Sequence, residues 1–165
     1  MENKYRGCIW FDGNADEAAA YYADVFPNVT VSNRTIHLEG QPEFNKHMEG
    51  KTLTLDVSFG DQRYIFLNAG AEFPHSENFS IEVMCEDQEE VDRYWNRLVD
   101  DGGQESVCGW CKDKFNFNWQ IVPRRFYELM ADPATAKPTM DAMYEMKKLV
   151  VADLEAAAEA ARKSA

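Results

Sequence analysis

The chain of 165 residues is 45% hydrophobic and 13% aromatic, enough apolar matter for one packed domain or one domain made of two small similar halves. Its 29 acidic and 17 basic residues give a formal net charge of −12, which repels phosphate backbones and anionic lipid and argues against nucleic-acid or membrane partners. No apolar run reaches the length of a membrane span and MENKYRGCIWF has no signal-type apolar stretch, so a cytoplasmic location is expected, with Cys8, Cys85, Cys108 and Cys111 as free thiols.

In chain order, residues 7–11 read as a short apolar strand, and Asp12-Gly13-Asn14 as a turn whose Asp12 or Asn14 caps a helix over 15–25. Pro27 and Asn28 end that helix, and 29–37 alternates as a strand. The polar stretch 39–51 reads as a loop. Leu53, Leu55 and Val57 alternate with Thr52, Thr54 and Asp56, which predicts a strand over 52–59. Gly60-Asp61 is a tight hairpin turn, and 62–68 returns as a second strand.

After a connector at 69–77 the order repeats. Residues 79–85 form a strand, and 88–99 a helix with Val91, Tyr94, Trp95 and Leu98 on one face. Three strands are predicted at 104–107, 109–112 and 117–122. In the last, Trp119 and Ile121 alternate with Asn118 and Gln120, and Pro123 closes it. Helices are expected at 124–131, 138–148 and 151–163, with Asp132-Pro133 as a break. Met140, Met143 and Met146 recur every three residues, as on a helix face packed on the core or on a second subunit.

Two strand–helix–three-strand halves in one chain resemble the vicinal oxygen chelate superfamily, the glyoxalase and bleomycin-resistance fold. The motifs IWFDGNA with Tyr22 and Phe26-Pro27, QEEVDRYW, CGWCKD, WQIVP and the tail residues Asp153-Leu154-Glu155-Ala156-Ala157 resemble its PhnB-like branch, in order over nearly the whole chain. The resemblance implies an α+β fold of two βαβββ modules in curled mixed sheets, at 1–73 and 74–123, with a helical C-terminal tail at 124–165. It also implies a homodimer. The branch is often labelled demethylubiquinone methyltransferase. That label is disfavoured, since the sequence has neither a doubly wound pattern nor a glycine-rich loop after a strand.

Metal enzymes of this superfamily set His, Glu or Gln on the first and last strand of each half, inside a pocket enclosed by paired troughs. There a divalent cation acts as a Lewis acid. Strand parity sets Ile9, Phe11, Ile65, Leu67, Phe79, Ile81, Val83, Trp119 and Ile121 on faces covered by helices. Cys8, Trp10, Tyr64, Phe66, Asn68, Asn78, Ser80, Glu82, Asn118 and Gln120 fall on the opposite faces. The ligand positions then land near Arg6, Asn68, Asn78 and Gln120. None is histidine or carboxylate, and neutral amides bind cations weakly, so no cofactor is expected and a divalent metal is disfavoured. His37, His47 and His75 share no ligand spacing and read as surface or loop histidines.

Trp10, Tyr64, Phe66, Asn68, Asn78, Ser80, Glu82, Asn118 and Gln120 are thus the ligand-pocket candidates, with Trp110 a further aromatic wall. They suit a flat or apolar small molecule with a few polar atoms. Filling of the trough by these same side chains is the competing reading. Glu82 is the one candidate base if an apolar pocket desolvates it, and a spectator if it lies at a solvated strand edge or pairs with Arg6. Cys108 and Cys111 have CxxC spacing, but residues three apart on a strand lie about 10 Å apart on opposite faces, which argues against thiol–disulfide chemistry. The function read here is metal-free small-molecule binding. A metal-dependent lyase, isomerase or dioxygenase-type enzyme and a structural or interaction protein are the alternatives.

Overall fold

The computed structural model describes residues 4–164, in two compact units that part between Pro74 and His75. In the first, β1 (Gly7–Phe11) leads into α1 (Ala15–Val25), then β2 (Val29–Ile36), β3 (Thr52–Phe59) and β4 (Gln62–Asn68). The sheet order is β1-β4-β3-β2, with β1 parallel to β4 and the other pairs antiparallel. The polar stretch before β3, expected as plain loop, carries a 3-10 helix at Glu43–Met48, whose Met48 is buried.

The alanines of α1 explain its close seat: Ala15, Ala18 and Ala19 are buried and let Tyr21, Tyr22 and Val25 pack inward. Asn14 occupies the N-cap position without a side-chain cap bond. The cap comes from elsewhere, since Asn68 Oδ1 at the end of β4 accepts from the Ala15 backbone N–H at 2.9 Å. The same amide donates to the Thr52 carbonyl at 3.0 Å, so one buried side chain ties the helix start to β3 and β4.

The second unit repeats the pattern. β5 (Ile81–Cys85) leads through α2 (Gln88–Asp100) to β6 (Gln104–Glu105), β7 (Trp110–Lys112) and β8 (Asn118–Pro123), in the order β5-β8-β7-β6 with β5 parallel to β8. Val91, Tyr94, Trp95 and Leu98 form the buried stripe of α2, and Asp87 caps it by accepting from Glu90 N. The strands are shorter than their alternation suggested, because the sequence between them is spent on turns. Asp113, 1% exposed, builds the β7–β8 turn by accepting from the amides of Phe115 and Phe117 and from the Trp119 indole N–H at 2.7 Å. Gly103 sits where a Cβ would lie 2.1 Å from the Leu98 carbonyl oxygen, so no larger residue fits between α2 and β7.

The tail forms α3 (Arg124–Met130), α4 (Pro133–Tyr144) and α5 (Val151–Ser164). The helix expected from 138 begins at Pro133, with Asp132 accepting from Ala134 N as its cap. Proline is tolerated at that first position because its missing N–H has no helical partner there. Val122, Phe126, Leu129, Leu149, Leu154 and Ala158 make a buried cluster that includes a residue of β8, and Met143 and Met146 pack against it. Cys108 N and Gly109 N donate to the Met146 and Lys147 carbonyls, and Gln88 Oε1 of α2 accepts from Val151 N at the start of α5. The tail is therefore part of the second unit's core.

Candidate functional site: the open faces of the two sheets

In the first sheet Phe66 lies opposite Ile9 and Leu55, and Leu67 lies opposite Trp10 and Thr54. Alternation gives the first three residues one face and the second three the other. The first is the helix face: Phe66 is fully buried, with its ring 5.9 Å from Tyr22 of α1 and 4.8 Å from Phe11. Tyr64, Phe66 and Asn68 therefore point under α1, while Ile65 and Leu67 lie on the open face, the reverse of the expected parity. Tyr64 packs on Phe59 at 5.7 Å, and burial pushes its phenol up. Asn68 is 1% exposed and spends both ends of its amide on the α1 cap and on Thr52.

On the open face of this sheet Trp10 is half-buried. Its indole N–H donates to the Gly70 carbonyl at 2.5 Å, and its ring meets Phe73 edge-on at 4.9 Å. Arg6 pairs with Asp56, which also accepts from Asn33 Nδ2. Cys8 is an exposed residue whose thiol is pushed up by partial burial and drawn back in part by the Arg6 charge.

His37, expected as a surface or loop histidine, follows the end of β2 but is buried. It is 4% exposed, and its Nε2 donates to the Asn68 carbonyl at 3.0 Å. It lines an open cavity of about 500 Å³ with Thr35, Ile36, Leu38, Gln41, Asn45, Leu53 and Ala69. The sequence carried no signal for it, because the lining comes from a strand end, a loop and the 3-10 helix. His47 is exposed, and His75 is half-buried with its ring 5.2 Å from Phe117.

In the second sheet Trp119 and Ile121 are fully buried and Glu82, Gln120 and Trp110 lie in register across β5, β8 and β7 on the other face. Gln120 Nε2 donates to Ser80 Oγ at 2.8 Å. Glu82 is exposed, and the Tyr127 hydroxyl of α3 donates to its Oε2 at 2.8 Å. Burial first, then the bond and charge of Glu82, push the Tyr127 phenol up to about 12. Arg6, weighed as its partner, is paired with Asp56. Asn118 is 2% exposed, and its Nδ2 has no hydrogen-bond partner among the described residues. Asn78 is exposed in the turn before β5, because the strand expected from 79 starts at Ile81. Tyr127 was missed by sequence reasoning, since nothing local marks a tail tyrosine as a neighbour of a strand carboxylate.

The four cysteines are free thiols. Cys108 lies in a turn with φ +58°, not on a strand, and Cys111 follows on β7, buried. Burial pushes the thiols of Cys85 and Cys111 up to about 12, with the charges of Glu90 and Asp113 respectively adding to it. Among the described residues no group of three or more His, Cys, Asp or Glu side chains is placed to hold a metal ion. Nor is any helix among them long and apolar enough to cross a membrane.

The family model described as 3-demethylubiquinone-9 3-methyltransferase matches residues 3–122. Similar solved structures include the PhnB protein from Bacillus cereus, whose description also names 3-demethylubiquinone-9 3-methyltransferase, at a TM-score of 0.63 and 22% identity over 73% of this chain and 99% of that one. A protein of Pseudomonas aeruginosa follows at 0.59 and 16% identity, over 74% and 98%. The fosfomycin resistance protein FosX from Mesorhizobium loti reaches 0.53 and 12%, over 80% and 99%. These likenesses are of fold. No curated protein sequence matches the chain.

Proposed function

We propose that this chain, which belongs to the PhnB-like 3-demethylubiquinone-9 3-methyltransferase family of the vicinal oxygen chelate superfamily, is a metal-free protein that binds a small molecule on the open face of a sheet. The observation that carries this reading is the donor set. On the first and last strands of the two halves, the open faces carry Cys8 and Trp10, Ile65 and Leu67, Glu82, and Asn118 and Gln120. One carboxylate and one thiol, Cys8, which partial burial pushes up and away from the thiolate a metal needs, do not fit a divalent ion among apolar and amide groups, since such an ion needs several anionic or imidazole donors. Glu82 already holds the Tyr127 hydroxyl and Gln120 holds Ser80.

Methyl transfer gains no support from this chain. Each sheet is mixed, and the turns from strand to helix are Asp12-Gly13-Asn14 and Glu86-Asp87, neither a glycine-rich loop that cradles a nucleotide. The homodimer belongs to this proposal, supported by the exposed apolar side chains of Val31 and Ile36 on the edge strand β2. So does the cytoplasmic location, which the free thiols fit.

Native mass spectrometry of untagged protein, purified without added metal or chelator, tests the reading. The expected spectrum is a dimer with no stoichiometric divalent ion, and the mass of any retained organic molecule identifies its ligand. A stoichiometric divalent ion that disappears in Glu82→Gln would sink the metal-free reading and favour the metal-dependent enzyme.

A further inference from the structure

We infer that the open face of the second sheet recognises an organic ammonium group, with Glu82 and Gln120 accepting its N–H bonds, Trp110 covering its hydrocarbon part, and Tyr127 of the tail holding Glu82 in place. This deepens the small-molecule reading above and rests on it.

Register puts Trp110, Gln120 and Glu82 in one row across three adjacent strands, all on the face away from α2. Adjacent strands are about 4.8 Å apart, so the row spans about 10 Å, the width of a small aromatic amine. The hydrogen-bond directions in the row are consistent. Gln120 turns its amide nitrogen to Ser80, which leaves Oε1 as an acceptor without a partner among the described residues. Glu82 receives the Tyr127 hydroxyl on Oε2, which leaves Oε1 likewise available. Two oxygens, one of them charged, beside an indole suit a group that donates several N–H bonds, carries one positive charge and has an apolar body. They do not suit an anion, and one carboxylate is too little charge for a divalent ion. The other charge on this face, Lys112, is tied at 2.6 Å to Glu77. The net charge of −12 draws cations towards the molecule as a whole.

Tyr127 gives the inference its particular character. It sits on α3, beyond the residues 3–122 that the family model matches, so the group that fixes the carboxylate comes from the tail and not from the two repeated halves. Tyr127 acts through Glu82 and is a positioning residue.

The test is a nuclear magnetic resonance titration of the full chain at constant ionic strength with benzylammonium chloride and, separately, its neutral counterpart benzyl alcohol. The signals followed are the Trp110 indole N–H, assigned with Trp110→Phe, and the Gln120 side-chain amide. Benzylammonium is expected to shift both saturably and to bind about five-fold or more tighter than benzyl alcohol. Glu82→Gln should remove that preference. Tyr127→Phe should weaken benzylammonium by about two- to five-fold and leave benzyl alcohol unchanged, a split that a merely structural role would not give. Both side chains are exposed, so neither variant threatens folding. Equal binding of the two probes, unaltered by Glu82→Gln, overturns the ammonium assignment while the small-molecule reading stands. Silence of the Trp110 and Gln120 signals with both probes overturns the assignment and takes this face out of that reading as well.

Discussion

At the scale of single residues, the cysteines show how burial decides chemistry that spacing only suggests. Cys108 and Cys111 have redox spacing, yet Cys111 is 1% exposed on β7 and its thiol is pushed up to about 12, as is that of Cys85. The thiolate is the nucleophile, so a raised pKa removes reactivity below it and restores it only as the pH climbs towards that value. At pH 8 a thiol with a pKa near 12 is about one part in ten thousand ionised. We therefore expect Ellman's reagent to modify at most two thiols of the native protein at pH 8, those of Cys8 and Cys108. The remaining two should react only after denaturation. Four rapidly reacting thiols in the native protein would contradict the burial of Cys85 and Cys111.

At the scale of elements, β4 shows what alternation can and cannot decide. Its residues Tyr64, Ile65, Phe66 and Leu67 are apolar on both faces, so periodicity gave no direction and the expected parity came out reversed. In β8, amides alternate with Trp119 and Ile121, and the direction was legible from the residues alone. What fixes β4 is Asn68, whose amide is needed under the start of α1. Removing it strands two buried groups, the Ala15 N–H and the Thr52 carbonyl. Asn68→Ala should therefore cost about 2–3 kcal/mol, measured by denaturant unfolding, since each unmet buried partner costs about 1–3 kcal/mol and part of that is relieved by relaxation. A loss below about 0.5 kcal/mol would mean that water or a small shift satisfies both groups and that Asn68 does not hold the helix start.

At the scale of the whole molecule, the repeated strand–helix–three-strand order was legible because each half pairs one amphipathic helix with alternating strands. The tail's role was not, because α5 and the segment before it find partners far away in sequence, Gln88 on α2 and Gly109 in the turn before β7. Nor was the placing of Tyr127 on Glu82, which depends on that docking. Gly109 shows how tight the docking is, since its φ is +82° and a Cβ there would lie 3.0 Å from the Ile121 carbonyl oxygen and 3.2 Å from Leu149. A tail that merely leaned on a finished domain could lose its own core without loosening the sheet. Here the tail's core contains a sheet residue, so the two should loosen together. Leu154, fully buried in that cluster, is the place to test this. Leu154→Ala should cost about 2–5 kcal/mol through lost transfer energy and the cavity left behind. Hydrogen exchange at the Ile121 amide, which donates to the Gly109 carbonyl across the sheet, should then speed up by about a hundredfold. Unchanged exchange at Ile121, with faster exchange confined to α4 and α5, would show the tail to be separable, and Tyr127 would then reach Glu82 from an element that can leave the sheet intact.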